Sequence, residues 1–160
     1  MPDPFSGGFG LLTVDGIPKP QYHALQLMNR AGERKYDLPY TNDEVEIAVY
    51  ENDHEKQIFV YRQRMKNVAE ADISYEVSLE LPESPQTISL YRIDEEHCNP
   101  LKEWRKIGSP LDMNQVEIDQ IIEKSSLQEE EVTVVYADNK LHIEQSIGVN
   151  DVHCYIVEMG

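Results

Sequence analysis

Between residues 43 and 94 the chain alternates apolar and polar positions in four successive runs. In EVEIAVYEN, Val45, Ile47 and Val49 share one face. In QIFVYRQR, Ile58 and Val60 share one face, with Phe59 and Tyr61 on the other. ISYEVSLEL sets Ile73, Tyr75, Val77, Leu79 and Leu81 against Ser74, Glu76, Ser78 and Glu80, and TISLYRI adds Ile88 and Leu90. A period of two over this length predicts strands, and the third run predicts a half-buried antiparallel one. The connections carry turn residues: Asn52-Asp53, Lys66-Asn67 and Pro82-Glu83-Ser84-Pro85.

The period then changes. Asn99-Pro100 predicts the start of a short helix, Leu101 to Ile107, ended by Gly108-Ser109-Pro110. Asn114 is placed to cap a second helix, Gln115 to Ser125, with Glu117 completing a capping box. Val116, Ile118, Ile121 and Ile122 give that helix its apolar side. EVTVVYA, LHIEQSI and VHCYIVEM predict three closing strands, turned at Asp138-Asn139 and at Gly148-Val149-Asn150-Asp151. About seven short strands with turn signals between them predict a mainly β chain, an antiparallel β-sandwich. A small two-helix insert at about 99–127 interrupts it.

The opening segment does not fit that pattern. Phe5-Ser6-Gly7-Gly8-Phe9-Gly10 is glycine-rich, so its backbone can turn sharply or approach another group closely. Its spacing matches neither GxGxxG nor a GK[ST] phosphate loop. Ile17-Pro18-Lys19-Pro20 predicts an extended entry, a helix from about Pro20 to Ala31, and a stop at Gly32. Tyr22, Leu25, Met28 and Ala31 form one apolar stripe, which needs a surface to bury against.

Composition narrows the functions. The chain has 160 residues, with 14 Lys and Arg against 30 Asp and Glu, a formal net charge of −16. Such an acidic balance argues against nucleic acid or an anionic membrane as partner. No apolar run is long enough to span a bilayer, and the N-terminus lacks a signal-peptide pattern. A cytoplasmic location is expected, although a fragment would have lost any such signal. Cys98 and Cys154 are the two cysteines. They are too few for a disulfide framework, and both a reduced pair and a single Cys98–Cys154 bridge fit the sequence.

Several groups invite a chemical reading. Asp94-Glu95-Glu96 is dense in carboxylates, the tools of glycoside hydrolysis, but adjacent residues on a turn point in different directions. A solvated turn that caps the next helix fits them better. His97-Cys98 and His153-Cys154 are chemically adequate zinc ligands. On a strand, however, His153 and Cys154 point to opposite faces, and Cys154 shares the face of Val152 and Ile156. Neither a metal site nor a cofactor is therefore expected. Gln128-Glu129-Glu130-Glu131 fits a solvated linker. Trp104 and Tyr91 could stack on a sugar, but packing in a core suits a lone tryptophan on a short helix better.

Two longer stretches carry a resemblance. FSGGFGLLTVDGIPKPQYHALQLMNRAG resembles the end of the catalytic barrel in glycoside hydrolase family 39, the family of β-xylosidases and α-L-iduronidases. There a GGFGLL-like segment, then G-I-P-K-P-x-Y-x-A, follows the eighth barrel strand and forms the last helix. YRIDEEHCNPLKEWRKIGSP is similar to the family's R-I-D-E-x-x-x-N-P-x-x-x-W-x-x-x-G-x-P segment in the accessory sandwich of bacterial β-xylosidases. The closing strands suit the same sandwich, while residues 43–81 match only as a pattern.

The resemblance implies that residues 1–36 are the last loop and helix of a (β/α)₈ barrel and 37–160 an accessory sandwich. It implies a C-terminal part of a retaining β-xylosidase, which structurally supports the barrel and contributes oligomer contacts. Active sites of such barrels lie at the C-terminal ends of the strands. The two catalytic glutamates would lie upstream of Phe5, so no residue here inherits a catalytic role and the chain alone is expected to be inactive. Phe5, Gly7 and Gly8 correspond to the loop near the substrate rim. The implied partners are the barrel of the same protein, a second copy, and xylo-oligosaccharide bound by the intact enzyme alone. A carbohydrate-binding module is the alternative, set back by the lack of a strand face with a row of aromatics.

Overall fold

A computed structural model of the chain describes residues 3–38, 44–65 and 69–160. The Lys66-Asn67 turn lies outside the described residues. The chain forms two compact units. One joins the segment ending at Asn29 to Ile93–Gln128, and the other joins Arg30–Arg92 to Glu129–Gly160.

The second unit is a β-sandwich. Its larger sheet runs in the order β1 (Arg34–Lys35), β2 (Glu46–Glu51), β3 (Glu55–Tyr61), β9 (Val152–Glu158), β5 (Thr87–Ile93), β6 (Glu130–Glu131). The smaller sheet is β4 (Ile73–Glu80), β8 (Lys140–Ile147), β7 (Val135–Ala137). The alternating positions converge on one core. Val49, Ile58, Val60, Leu90, Tyr155 and Val157 of the larger sheet meet Val77, Leu79, Leu141 and Ile143 of the smaller one. Cross-strand registers place like with like: Val49 opposite Ile58, Ile58 opposite Tyr155, Val77 opposite Ile143 and Leu79 opposite Leu141. Such pairs are the units of sheet stabilisation.

Six of the seven expected strands are present as single strands, whereas EVTVVYA is split. Glu130 and Glu131 pair with β5, whereas Val135–Ala137 pair with β8 in the other sheet. Val132, Val134 and Tyr136 all stay against the core through the crossing. The period of two is thus unbroken where the hydrogen-bonding partner changes. The β7–β8 turn places both Asp138 and Asn139 at positive φ, 53° and 58°. That is the type I′ geometry that these residue types tolerate and a twisted hairpin prefers.

The first unit holds α1 (Pro20–Asn29), α2 (Pro100–Lys106) and α3 (Gln115–Lys124). The Asn99 carboxamide accepts the Lys102 N–H at the start of α2. Asn114 and Glu117 close the expected capping box on α3. Ile17, Trp104, Ile118 and Ile121 form a small core, with Phe5, Leu101 and Ile122 packed around it. Val116, expected on the apolar side, is exposed.

Helix α1 departs from expectation in the face it buries. His23 and Leu27, one turn apart, are buried, while Leu25 and Met28 are 49% and 60% exposed. The helix also ends at Asn29, ahead of Gly32. Gly32 serves a different purpose there: a Cβ on it would lie 2.0 Å from the Glu51 carbonyl oxygen. Only glycine fits so close to a neighbouring backbone.

Candidate functional site

The glycine-rich loop is held by its own backbone and by one lysine. Asp3 Oδ1 accepts the Phe5 N–H at 2.8 Å, and the Ser6 hydroxyl donates to the Asp3 carbonyl at 2.7 Å. Gly7 and Gly10 adopt φ of 100° and 87°, open to glycine and costly to other residues. Lys19, stiffened between Pro18 and Pro20, donates its N–H to the Leu11 carbonyl. Its Nζ reaches back to the carbonyls of Gly7 at 3.2 Å and Phe9 at 2.9 Å.

The loop separates the three candidate residues. Phe5 turns inward, its ring centroid 5.3 Å from that of Trp104 at an interplanar angle of 50°. Gly7 and Gly8 are exposed and have nothing within 4 Å of where a Cβ would stand. Beside them Phe9 is 97% exposed and Val14 89%. Trp104 is buried, and its indole N–H donates to the Pro110 carbonyl at 2.9 Å. The ring is thus packed with Ile17, Ile118 and Ile121 in the small core, and its polar edge is bonded to backbone.

The acidic run is engaged locally. Asp94 Oδ1 accepts the backbone N–H groups of Glu96 and His97 at 2.9 and 2.8 Å and faces His97 Nδ1 at 2.7 Å. Burial pushes the Asp94 carboxyl up, but the hydrogen bonds from His97 and Glu96 outweigh it and hold it below its ordinary value. Glu96 pairs with Lys102, which lowers its carboxyl too. The run therefore anchors the start of α2.

Cys98 and Cys154 are free buried thiols, and burial pushes each up to about 12. His153 turns into the sandwich core, where its Nδ1 lies 2.7 Å from the Tyr75 hydroxyl. That hydroxyl is also 2.6 Å from the Tyr155 hydroxyl, so one polar bridge joins the two sheets. Burial is the main force raising both phenols, so they stay neutral and act as hydrogen-bond partners. The bridge was hidden in the sequence because Tyr75 and Tyr155 occupy apolar rows.

An open cleft of about 770 Å³ lies between β5 and the segment that crosses from β6 to β7. Thr87, Ser89, Glu129, Glu131, Thr133 and Glu158 are among the residues that line it. Two pairs of its polar groups already bond to each other: Thr87 Oγ1 donates to Glu158 at 2.7 Å and Ser89 Oγ to Glu129 at 2.6 Å. Its aromatic wall, Tyr136, is tied by its hydroxyl to the Leu81 carbonyl. Among the described residues no helix is long and apolar enough to cross a membrane.

Comparison with known proteins gives these features a context. The family model of glycosyl hydrolases family 39 matches residues 2–140. A β-xylosidase of Caldicellulosiruptor saccharolyticus is 29% identical over 161 residues, covering 98% of this chain and 33% of that protein. A β-xylosidase of Geobacillus stearothermophilus is 29% identical over 108 residues, 66% of this chain and 20% of that one. Among solved structures, a monomeric β-xylosidase from Caulobacter crescentus CB15 superposes with a TM-score of 0.72 at 19% identity, over 98% of this chain and 34% of that one. The family 39 enzyme from Xanthomonas axonopodis pv. citri gives 0.74 at 20% identity, over 99% and 34%. The chain thus spans about a third or less of the length of each of these relatives.

Proposed function

The chain belongs to glycosyl hydrolases family 39, and on that premise we propose that it is the C-terminal part of a retaining β-xylosidase whose catalytic barrel is supplied by preceding polypeptide. The sandwich would buttress that barrel, and the loop and α1 would complete its last βα unit. In this reading Phe5, Gly7 and Gly8 border the substrate rim, and the two carboxylates of the retaining mechanism, about 5 Å apart, come from the barrel. Xylo-oligosaccharide is then a ligand of the intact enzyme.

One observation carries the reading. The N-terminal segment exposes Phe9, Leu11, Leu12, Val14, Leu25 and Met28 while its other side is buried. Apolar side chains gathered on one short segment in this way mark a surface that expects a partner. A carbohydrate-binding module has less support, since in the cleft beside β5 the Thr87 and Ser89 hydroxyls are already bonded to Glu158 and Glu129.

An aryl β-xyloside assay tests this. The isolated chain is expected to release no chromophore, whereas the same chain joined to the barrel encoded ahead of it is expected to be active. Hydrolysis by the isolated chain that disappears on substituting Asp94, Glu95 or Glu96 would overturn the reading.

A further inference from the structure

Lys19 stands at the base of a small hairpin. The Thr13 N–H donates to the Ile17 carbonyl at 2.9 Å, and the Lys19 N–H donates to the Leu11 carbonyl at 2.9 Å. The buried Thr13 hydroxyl accepts the Ile17 N–H at 3.1 Å, and Ile17 itself is fixed in the small core. Pro18 and Pro20 stiffen the chain on either side, and a residue before proline is held extended. The lysine therefore extends from a rigid base. Its Nζ binds the carbonyls of Gly7 and Phe9, so one ammonium holds the loop on both sides of Gly8.

Those two bonds orient the peptides they touch. A peptide unit is planar, and in its trans form the N–H points opposite to the C=O. No described peptide bond is cis. With the Gly7 and Phe9 carbonyls turned to the ammonium, the N–H groups of Gly8 and Gly10 point away from it. Neither N–H donates to a described group of the chain, and residues 6–10 are exposed. The glycines also differ in why they are glycine. Gly7 and Gly10, at φ of 100° and 87°, need it for their backbone. Gly8 lies outside the left-handed region, and nothing described stands within 4 Å of where its Cβ would be. Neither conformation nor packing among the described residues accounts for Gly8. The other use of glycine is to let a ligand approach the backbone closely.

The geometry points to Lys19 as a positioning residue of the substrate rim: it turns the Gly8 and Gly10 N–H groups toward the hydroxyl oxygens of a neutral sugar, and Gly8 gives that sugar clearance. The inference rests on the reading that this chain completes a β-xylosidase barrel. A sugar hydroxyl accepts as well as donates, so outward backbone donors suit it. The ammonium polarises both peptides through their carbonyls, which strengthens the N–H groups on the far side. The formal net charge of −16 disfavours an anionic sugar.

Lys19→Met keeps an apolar stem and removes the donors. In the isolated chain it should lower the backbone order parameters of Gly8, Phe9 and Gly10, read by nitrogen-15 relaxation. Gly8→Ala places a methyl in open space, so the isolated chain should melt within about 1 °C of the wild type. In the proposed full-length protein both variants should raise the KM for xylobiose roughly fivefold and keep kcat within about twofold, the mark of lost binding common to substrate and transition state. Lys19→Arg retains several donors on one cation and should recover most of the KM. A full-length wild type that hydrolyses no xyloside would overturn the xylosidase reading and this inference with it. An active wild type whose KM survives Lys19→Met and Gly8→Ala would overturn the inference alone. So would unchanged order parameters in Lys19→Met, or a Lys19→Met loss confined to kcat that arginine does not recover.

Discussion

The hydroxyl of Tyr75 on β4 lies 2.6 Å from that of Tyr155 on β9, a hydrogen bond that crosses the apolar interior from one sheet to the other. Both rings contribute area to the core, and the bridge links the two sheets.

Tyr75→Phe keeps the ring and removes the shared hydroxyl, so Tyr155 loses its buried partner. A buried polar group deprived of its partner costs about 1–3 kcal/mol. For a chain of this size each kcal/mol shifts Tm by roughly 2–4 °C. Thermal unfolding followed by circular dichroism should show a Tm lower by several degrees. An unchanged Tm would show the bridge to be energetically neutral.

How much of this was legible depends on whether a feature lies in local period or in long-range pairing. The alternation in ISYEVSLEL is a local property, and the burial of Tyr75, Val77 and Leu79 follows it residue by residue. Asn114 and Glu117 likewise signal α3, because a capping box needs four consecutive residues and nothing distant. The split of EVTVVYA was invisible because the same faces point inward on both sides of the crossing, and only the hydrogen-bond partner changes. On α1 the periodicity of Tyr22, Leu25 and Met28 marked an apolar face correctly but could not tell which face this chain buries. At the candidate site, GGFG announced backbone freedom, while the inward turn of Phe5 onto Trp104 joins residues about a hundred positions apart and had no local signal.

The exposed stripe on α1 yields the next expectation. Leu25→Glu with Met28→Glu should leave the Tm of the isolated chain within about 1 °C, since surface substitutions away from packed features cost under roughly 0.5 kcal/mol. In the proposed full-length protein, with a catalytic barrel ahead of this chain, the same pair should destabilise the whole or depress its yield. Binding of a hydrophobic dye to the isolated chain should fall. A large Tm loss in the isolated chain would mean that these side chains are already packed.

Cys98 and Cys154 supply a chemical check. Burial holds both thiols at about 12, so the reactive thiolate is scarce at neutral pH and access is blocked. A thiol reagent such as iodoacetamide should label neither residue on the native chain and both in denaturant, read by mass spectrometry. Rapid native labelling of one cysteine would locate an opening in its unit.

Acid should act on the sandwich through Glu51. Its carboxylate accepts from Lys56 and from the Tyr36 hydroxyl at 2.7 Å, and Arg34 lies 3.3 Å away. The Lys56 and Tyr36 hydrogen bonds lower this carboxyl from 4.5 to about 2. Because the folded value is the lower one, the stabilisation is complete above the unfolded value near 4.5 and is lost as pH falls toward 2. Glu51→Gln removes the charge, so its stability should fall less steeply than that of the wild type across that window, while the two profiles run parallel between pH 5 and 8. Lys56 is raised because Glu51 and Tyr36 outweigh its burial, so on the alkaline side the same pair should weaken only above about 10.5. Urea unfolding at a series of pH values measures both flanks. Parallel wild-type and Glu51→Gln profiles from pH 5 down to 2 would show that the Glu51–Lys56–Tyr36 cluster contributes nothing to acid stability.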